Sequence, residues 1–417
     1  MAEDRELAEI LRVVGGRALN TFGRQVITTT VLWELYERTG DNLTIAFVGL
    51  VQVLPVIALF VPSGAFVDNS DRRRVTTVCS LLIGVVGLLL GAASATDAPL
   101  PTFFVILLGL GAINSVFSPA TASLIPLVLR RDQLERANRV ASSLGEVASV
   151  VAPGVAGAAL LVVPYAWVYG LAALSSIIAA VLYRSLPKPR EVVTAAGAAR
   201  RDWRLGLRFI FANRLLLPAL TLDMFAVLFA GATALLPAVA KDVLHTDSFG
   251  YGVLRSAEAI GGATMAIIGG RIRPWQHPGR VLLIVVAGFA AVTIGFGLST
   301  WLPLSVVMLA LGGAFDNVSV VIRLTLEQMV VPDDIRGRVS AVHFVFIGMS
   351  NELGAAESGL AAALIGTVPA IVGGGALAMA VVALVAKVAP EFRRMKPLGA
   401  LAPGDGQAPP SPAASSS

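Results

Sequence analysis

Asp223, Asp316 and Glu352 lie deep inside stretches of sequence that are otherwise almost free of charge. An ionisable side chain near the centre of a bilayer costs about 2.5–3.5 kcal/mol even on a lenient insertion scale, so such a group is kept for a partner or a task. Arg24 lies at similar depth, and amides stand beside two of the acids: Asn317 follows Asp316 and Asn351 precedes Glu352. A buried carboxylate that exchanges an arginine for another partner can take up and release a proton. These residues therefore suit substrate binding with proton exchange, with a structural interhelix ion pair as the alternative. Arg17, Glu34, Arg323 and Glu327 fall within about two turns of a predicted span end, where snorkelling or capping competes with such a role.

The elements that must position these groups follow from hydropathy. Of 417 residues, 56% are hydrophobic and only 14% charged, far from the roughly 25% charged make-up of soluble domains. Apolar stretches near the ~20 residues that a helix needs to cross a bilayer recur from residue 13 to residue 386, without the period-2 alternation of barrel strands. They predict an all-α membrane protein of twelve transmembrane helices: 13–36, 43–67, 75–95, 102–127, 141–162, 165–183, 214–239, 250–270, 281–300, 303–328, 339–365 and 368–386. The third, sixth, ninth and twelfth carry no ionisable residue and are suited to face lipid, while the others can hide charge in a shared polar interior. The N-terminus lacks the short apolar core and cleavage site of a signal peptide, and Cys79, the single cysteine, can form no internal disulfide.

Arginines divide the connections into two kinds. Those after even-numbered spans carry Arg72, Arg73 and Arg74, then Arg130 and Arg131, then Arg184, Arg204 and Arg208, then Arg271 and Arg280, then Arg336 and Arg338; those after odd-numbered spans carry only Arg38 and Lys241. Positive charge marks the cytoplasmic side, so both termini are predicted to be cytoplasmic. The net charge of +5 is thus topological and implies no nucleic-acid partner. The longest loop separates an N-terminal six-helix bundle, 1–186, from a C-terminal one, 214–390. The linker, 187–213, contains "WRLGLRFIFANR", which reads as a basic amphipathic helix on the inner membrane face. The Pro- and Ser-rich end, 391–417, reads as a disordered cytoplasmic tail. "RRDQLERANRVASSLG" after the fourth span and "VPDDIRGRVSAVHFVFIG" after the tenth share Asp, then Leu or Ile, then Arg-Val before two small residues, a weak internal repeat of the kind that relates two parallel halves by a pseudo-two-fold axis.

No phosphate-cradling G-x-x-x-x-G-K-[ST] motif occurs, nor H-E-x-x-H, G-x-S-x-G or a metal-ligand cluster. His245, His277 and His343 are scattered and read as ordinary surface or packing residues. The sequence therefore predicts neither an enzyme nor a cofactor or metal protein.

"GAFVDNSDRRR" between the second and third spans resembles the major facilitator superfamily signature G-x-x-x-D-[RK]-x-G-R-[RK] at Gly64, Asp68, Arg72 and Arg73, with Asn69 and Asp71 departing from it. "GEVASVVAPGVAGA" in the fifth span resembles that superfamily's antiporter motif at Gly145, Pro153, Gly154 and Gly157, with Ala152 and Ala158 in place of glycines. "DMFAVLFAGATALLP", "GYGVLRSAEAIGG" and the long stretch from Asp316 to Gly366 resemble the enterobactin-exporter-like branch, also called transmembrane secretion effectors. The resemblance implies a secondary active transporter of the bacterial inner membrane working as a monomer by alternating access. It also implies a proton-coupled exporter of small amphipathic molecules such as drugs or siderophore-like compounds. Cavity-lining first, fourth, seventh and tenth helices would suit Arg24, Gln25, Asn114, Asp223 and Asp316, joined by Asn317, Arg323 and Asn351. The resemblance makes Asp68 and the adjoining arginines a cytoplasmic latch. Arg24 stands where the branch often has an acid and Glu258 where it often has proline. Nutrient import or lipid movement on the same fold, or a non-transporting sensor, are the rival expectations.

Overall fold

The computed structural model describes residues 2–129, 134–187, 203–271 and 275–407. Its first six helices are α1 (Ala2–Thr39), α2 (Asn42–Asp68), α3 (Arg72–Ala95), α4 (Leu100–Val128), α5 (Leu134–Ala159) and α6 (Tyr165–Arg184). A short α7 (Trp203–Ala212) precedes α8 (Leu216–Ala230), α9 (Ser248–Gly269), α10 (Pro278–Leu298), α11 (Leu302–Val330), α12 (Arg336–Ile365) and α13 (Thr367–Val388). Among the described residues, nine segments are long and apolar enough to cross a membrane. The long helices α1, α9 and α12 fall short of that measure because they carry ionisable residues, Arg24, Arg255, Glu258, Glu352 and Glu357 among them. Apolar side chains on four helices that carry charge only at their ends face outward, Leu88 on α3, Trp167 on α6, Ile284 on α10 and Val388 on α13, as a hydrocarbon solvent requires.

Within the first six helices, α1 packs on α5 and α6, α3 on α4 and α6, and α2 on α4; within the later ones, α11 packs on α9 and α10, while α8 and α10 both pack on α13. Two seams join the sets, α2 against α12 and α5 against α9. Both depend on glycine. A Cβ on Gly49 would stand 2.8 Å from the Glu352 carbonyl oxygen, and one on Gly252 would stand 2.7 Å from that of Pro153 and 3.1 Å from the Cα of Gly157. These contacts lie in the C-terminal halves of α5 and α12 and the N-terminal halves of α2 and α9. The same end is tied by the Ser248 hydroxyl donating to the Gly157 carbonyl at 3.0 Å, Asn42 Nδ2 donating to Thr367 Oγ1 at 3.1 Å, and a Tyr36–Asp242 hydrogen bond. Trp33 stacks on Tyr251 beside them, with ring centroids 5.2 Å apart. Toward the opposite end the helices splay: a Cβ on Gly64 of α2, Gly145 of α5 or Gly348 of α12 would meet nothing within 4 Å. The bundle is closed at the end away from its termini and open at the end that carries the arginine-rich loops.

The α2–α3 turn shows why its departure from the superfamily signature is tolerated. Asp71 is the N-cap of α3, its carboxylate accepting from the Arg73 and Arg74 amides at 3.0 and 3.3 Å, a bond worth about 1 kcal/mol to the helix. Arg73 Nη1 then donates to the Leu186 carbonyl at 2.7 Å, tying α3 to the chain leaving α6. The side chain of Asp68, residues 188–202 of the linker and residues 408–417 of the tail lie outside the described residues.

Two expectations need correction. The amphipathic segment is helical, but Phe209 and Ile210 are buried in the core and Gly206 packs on the Arg338–Val339 backbone. That face is spent on α12 rather than on lipid, leaving Leu205 and Phe211 outward among the described side chains. The chain after residue 390 is also not disordered throughout. Buried Asn213 caps the start of α8, its Oδ1 accepting from the Leu215 and Leu216 amides, while its Nδ2 donates to the Asp405 carbonyl at 2.8 Å. Arg214 N donates to the Gly406 carbonyl at 2.7 Å and Gly404 N to the Val330 carbonyl at 2.9 Å, so residues 404–407 form a strap over the ends of α8 and α11. Gly404 (φ 92°) and Gly406 (φ 82°) occupy the region that glycine alone enters without strain. Proline and serine content signals poor burial, but orphan helix-end groups can recruit such a segment.

A bulky residue in a glycine seam should force it apart, since overpacking costs about 1–3 kcal/mol. In a Cys79→Ser, Ser248→Cys background, Gly157→Leu should raise labelling of the new cysteine by an impermeant maleimide roughly tenfold. An unchanged labelling rate would show that the seam does not hold the closed end.

Candidate functional site

Asp316 and Arg323 are seven residues apart on α11, two turns along one face. Arg323 is buried and forms an ion pair with Asp223 of α8, which is also buried. Its Nη2 lies 3.9 Å from Asp316 Oδ1 and its Nε donates to the Ser319 carbonyl at 3.2 Å. Proximity to a predicted span end points to snorkelling for Arg323; instead it bridges the acids of two helices inside the bundle. Asp316 is 45% exposed, and that exposure opens into a cavity.

The cavity has a volume of about 380 Å³, within the range of small-molecule sites. Its polar wall is built from Gln25 of α1, Glu146 of α5, Arg255 and Glu258 of α9, and Asp316 and Asn317 of α11. Arg255 and Glu258 share a helix face at i, i+3. Among the described residues no hydrogen bond or direct ion pair engages Glu146 or Glu258, although Glu258 lies within electrostatic range of both Arg255 and Asp316. Glu352 of α12 sits beyond this wall, within range of both Arg24 of α1 and Arg255 of α9. A chain of charges thus runs from Asp223 through Arg323, Asp316, Glu258, Arg255 and Glu352 to Arg24, acid and base alternating except where Asp316 meets Glu258, and it crosses from the later helices to the first.

A broken helix shapes one side. α8 stops at Gly231 (φ −73°, ψ 69°), and the chain continues as a 3-10 turn, Ala232–Leu235, and a π-helical turn, Val239–Val243. The break brings Thr233 into the cavity wall and frees carbonyls, one of which, that of Ala230, accepts from Thr293 Oγ1 at 3.5 Å. Non-helical backbone at membrane depth is tolerated where it lines such a space.

The predicted site residues divide accordingly. Gln25, Asp316, Asn317 and Pro153 line the cavity; Asp223 and Arg323 stand behind it; Arg24 and Glu352 extend the charge chain. Gly154 and Gly157 belong to the α5–α9 seam and Gly145 to the splayed end. Asn114 does not line the cavity: its Oδ1 is buried in α4 without a hydrogen-bond partner. Asn351 does not either, because its Nδ2 bonds back to the Ile347 carbonyl at 3.0 Å on its own helix, a local satisfaction that sequence spacing does not display. Three wall residues, Glu146, Arg255 and Glu258, were recognisable as ionisable groups within spans yet had been given no role.

A second buried cluster lies between α11 and α12. Glu327 pairs with His343 Nδ1 at 2.5 Å and accepts from the Ser340 hydroxyl, with Glu327 and His343 both buried. Glu327 therefore does not snorkel, and His343 is not a surface residue. The spacing of Ser340 and His343, three residues apart on α12, was the available signal.

Removing one member of a buried ion pair strands the other, at a cost of about 3–5 kcal/mol, whereas apolar replacement of both can be nearly neutral. Arg323→Met should therefore lower the thermal midpoint of the purified protein by several degrees, and Asp223→Leu with Arg323→Met should recover most of that loss. A double variant that melts no higher than the single one would refute the pairing.

The Major Facilitator Superfamily profile matches residues 13–355. The chain is 29% identical over 364 residues to the enterobactin exporter EntS of Escherichia coli O1:K1, covering 84% of this chain and 85% of that protein, and equally so to that of Escherichia fergusonii. In fold it is similar to a bacterial homologue of the human lysosomal transporter Spinster in an inward-facing and occupied conformation, with a TM-score of 0.70, 15% identity and coverage of 92% of this chain and 97% of that one. It is similar also to a D-xylose–proton symporter, with a TM-score of 0.73, 12% identity and coverage of 94% and 99%. With a family profile that spans most of the helices, and membrane transporters on every side of the comparison, the chain belongs to the major facilitator superfamily and is a transporter, not an enzyme.

Proposed function

We propose that the protein is a proton-coupled exporter of small amphipathic molecules, working by alternating access in a bacterial inner membrane as a monomer. The observation that carries this reading is the charged cavity between two sets of helices whose seams are closed at one end only. We count α1, α9 and α12 as spans too. Twelve spans then form two six-helix bundles, with boundaries near 186 and 214, and the cavity lies between them.

Orientation follows from charge. The splayed end carries Arg72, Arg73, Arg74, Arg184, Arg271, Arg280, Arg336 and Arg338, against Arg38 and Lys241 at the closed end, so the splayed end is cytoplasmic by the positive-inside rule. The conformation is then inward-open, poised to receive a molecule from the cell, and the likeness to an inward-facing transporter fits this state. Opening outward means separating the α2–α12 and α5–α9 glycine seams, which lie beside Glu352 and Pro153.

Coupling to protons rests on the chain of acids and bases across the cavity. Arg255 faces Glu258 on its own helix and Glu352 on α12; a rocking motion that changes its partner leaves one carboxylate without a cation, and that carboxylate is the one that binds a proton. Export agrees with the relatives named as enterobactin exporters, while the symporter likeness extends to fold alone.

In proteoliposomes, a panel of amphipathic dyes should move only while a pH gradient is imposed, and collapse of the gradient should abolish that movement. Asp316→Asn and Glu352→Gln should each slow it at least tenfold, about 1.4 kcal/mol in activation free energy. Equal rates with and without the gradient would remove the coupling, and movement of the dye along with protons would make the protein an importer.

A further inference from the structure

The charge of the cavity wall is unbalanced. Glu146, Glu258 and Asp316 face the space against one guanidinium, Arg255. The neighbouring charges do not redress this, because behind the wall the single guanidinium of Arg323 is shared between Asp223 and, at 3.9 Å, Asp316, and beyond it Arg24 is opposed by Glu352. Glu258 and Asp316 stand within range of one another on α9 and α11, with no hydrogen bond to Glu258 among the described residues. Two carboxylates that share a space in this way favour whatever brings positive charge between them.

An apolar recess adjoins the acids. A second, smaller cavity of about 30 Å³ shares Thr233 and Glu258 with the first and is lined by Phe289, Phe296 and Met308. Its aromatic faces and thioether make an apolar patch beside the acids, and aromatic rings also attract a cation held close to them.

We propose that this cavity selects organic cations: amphipathic molecules with an amine, amidine or quaternary ammonium group seated between Glu258 and Asp316 and an apolar part directed toward the Phe289–Phe296 recess. This assignment rests on reading the cavity as the substrate chamber. It narrows the substrate to one sign of charge, and amphipathic anions of similar shape are rejected by the same carboxylates.

Tetraphenylphosphonium and tetraphenylborate are near-identical in shape and opposite in charge, which makes them the probes. Titrated calorimetrically into the full-length protein in lipid nanodiscs, with empty nanodiscs as the blank, the phosphonium should bind saturably and the borate at least tenfold more weakly. Glu258→Gln combined with Asp316→Asn should weaken phosphonium binding at least tenfold in protein that melts as the parent does. Borate binding as tight as phosphonium, saturable binding of neither, or unchanged phosphonium affinity in that variant would each overturn the proposal. The comparison of the two ions in the unaltered protein stands even where the variant fails to fold. No gradient enters the measurement, so selective cation binding without gradient-driven dye movement would remove the exporter reading and leave this one in place.

Discussion

The cost of an ionisable side chain inside a bilayer organises the rest of this molecule. Each such group must find a partner or reach water, and both are available only in the bundle interior. The helices α3, α6, α10 and α13, whose charged residues lie only at their ends, turn Leu88, Trp167, Ile284 and Val388 outward. The helices with interior charge converge: α1, α5, α9 and α11 supply the polar wall of one cavity, and α8 and α12 add acids behind and beside it. The same constraint keeps Arg323 within reach of Asp223 and Asp316, because a guanidinium buried between helices without a carboxylate would be stranded.

Close approach of backbone supplies the second organising contact. Helices in a membrane gain little from burying apolar side chains against one another, so glycine-lined contacts carry much of the association. Between the two sets of helices they are confined to one end. Gly49 meets the Glu352–Ala356 backbone and Gly157 meets Gly252, whereas Gly64, Gly145 and Gly348 face open space. A seam made of small residues and few polar bonds can part and re-form without breaking a core, which is the property that a cavity needs if it is to open to one side and then the other.

Much of this was legible beforehand. The span predicted at 43–67 is α2, Asn42–Asp68, and that at 165–183 is α6, Tyr165–Arg184, because apolar length and flanking charge are local properties. Pro153, Gly154 and Gly157 were visible as a small-residue stretch, and Asp316 with Asn317 as a polar pair in an apolar helix. Other features were hidden for physical reasons. Asn351 satisfies itself on its own helix, Asn114 is buried without joining the cavity, and the Pro-rich end docks through Asn213 because helix-end groups nearly two hundred residues upstream lack partners.

Hydropathy, helix length and the placement of arginines are summed along the chain, and they determined an all-helical membrane protein with its charges in particular helices and its positive loops on one side. Which charges meet depends on distances across helices, and those only the tertiary structure decided: Arg323 with Asp223, Glu327 with His343, Arg255 between Glu258 and Glu352. The excess of carboxylate in the cavity belongs to that second kind of fact. Neither Glu146 on α5 nor Glu258 on α9 implies it alone; it arises because folding brings them to one space with a single arginine.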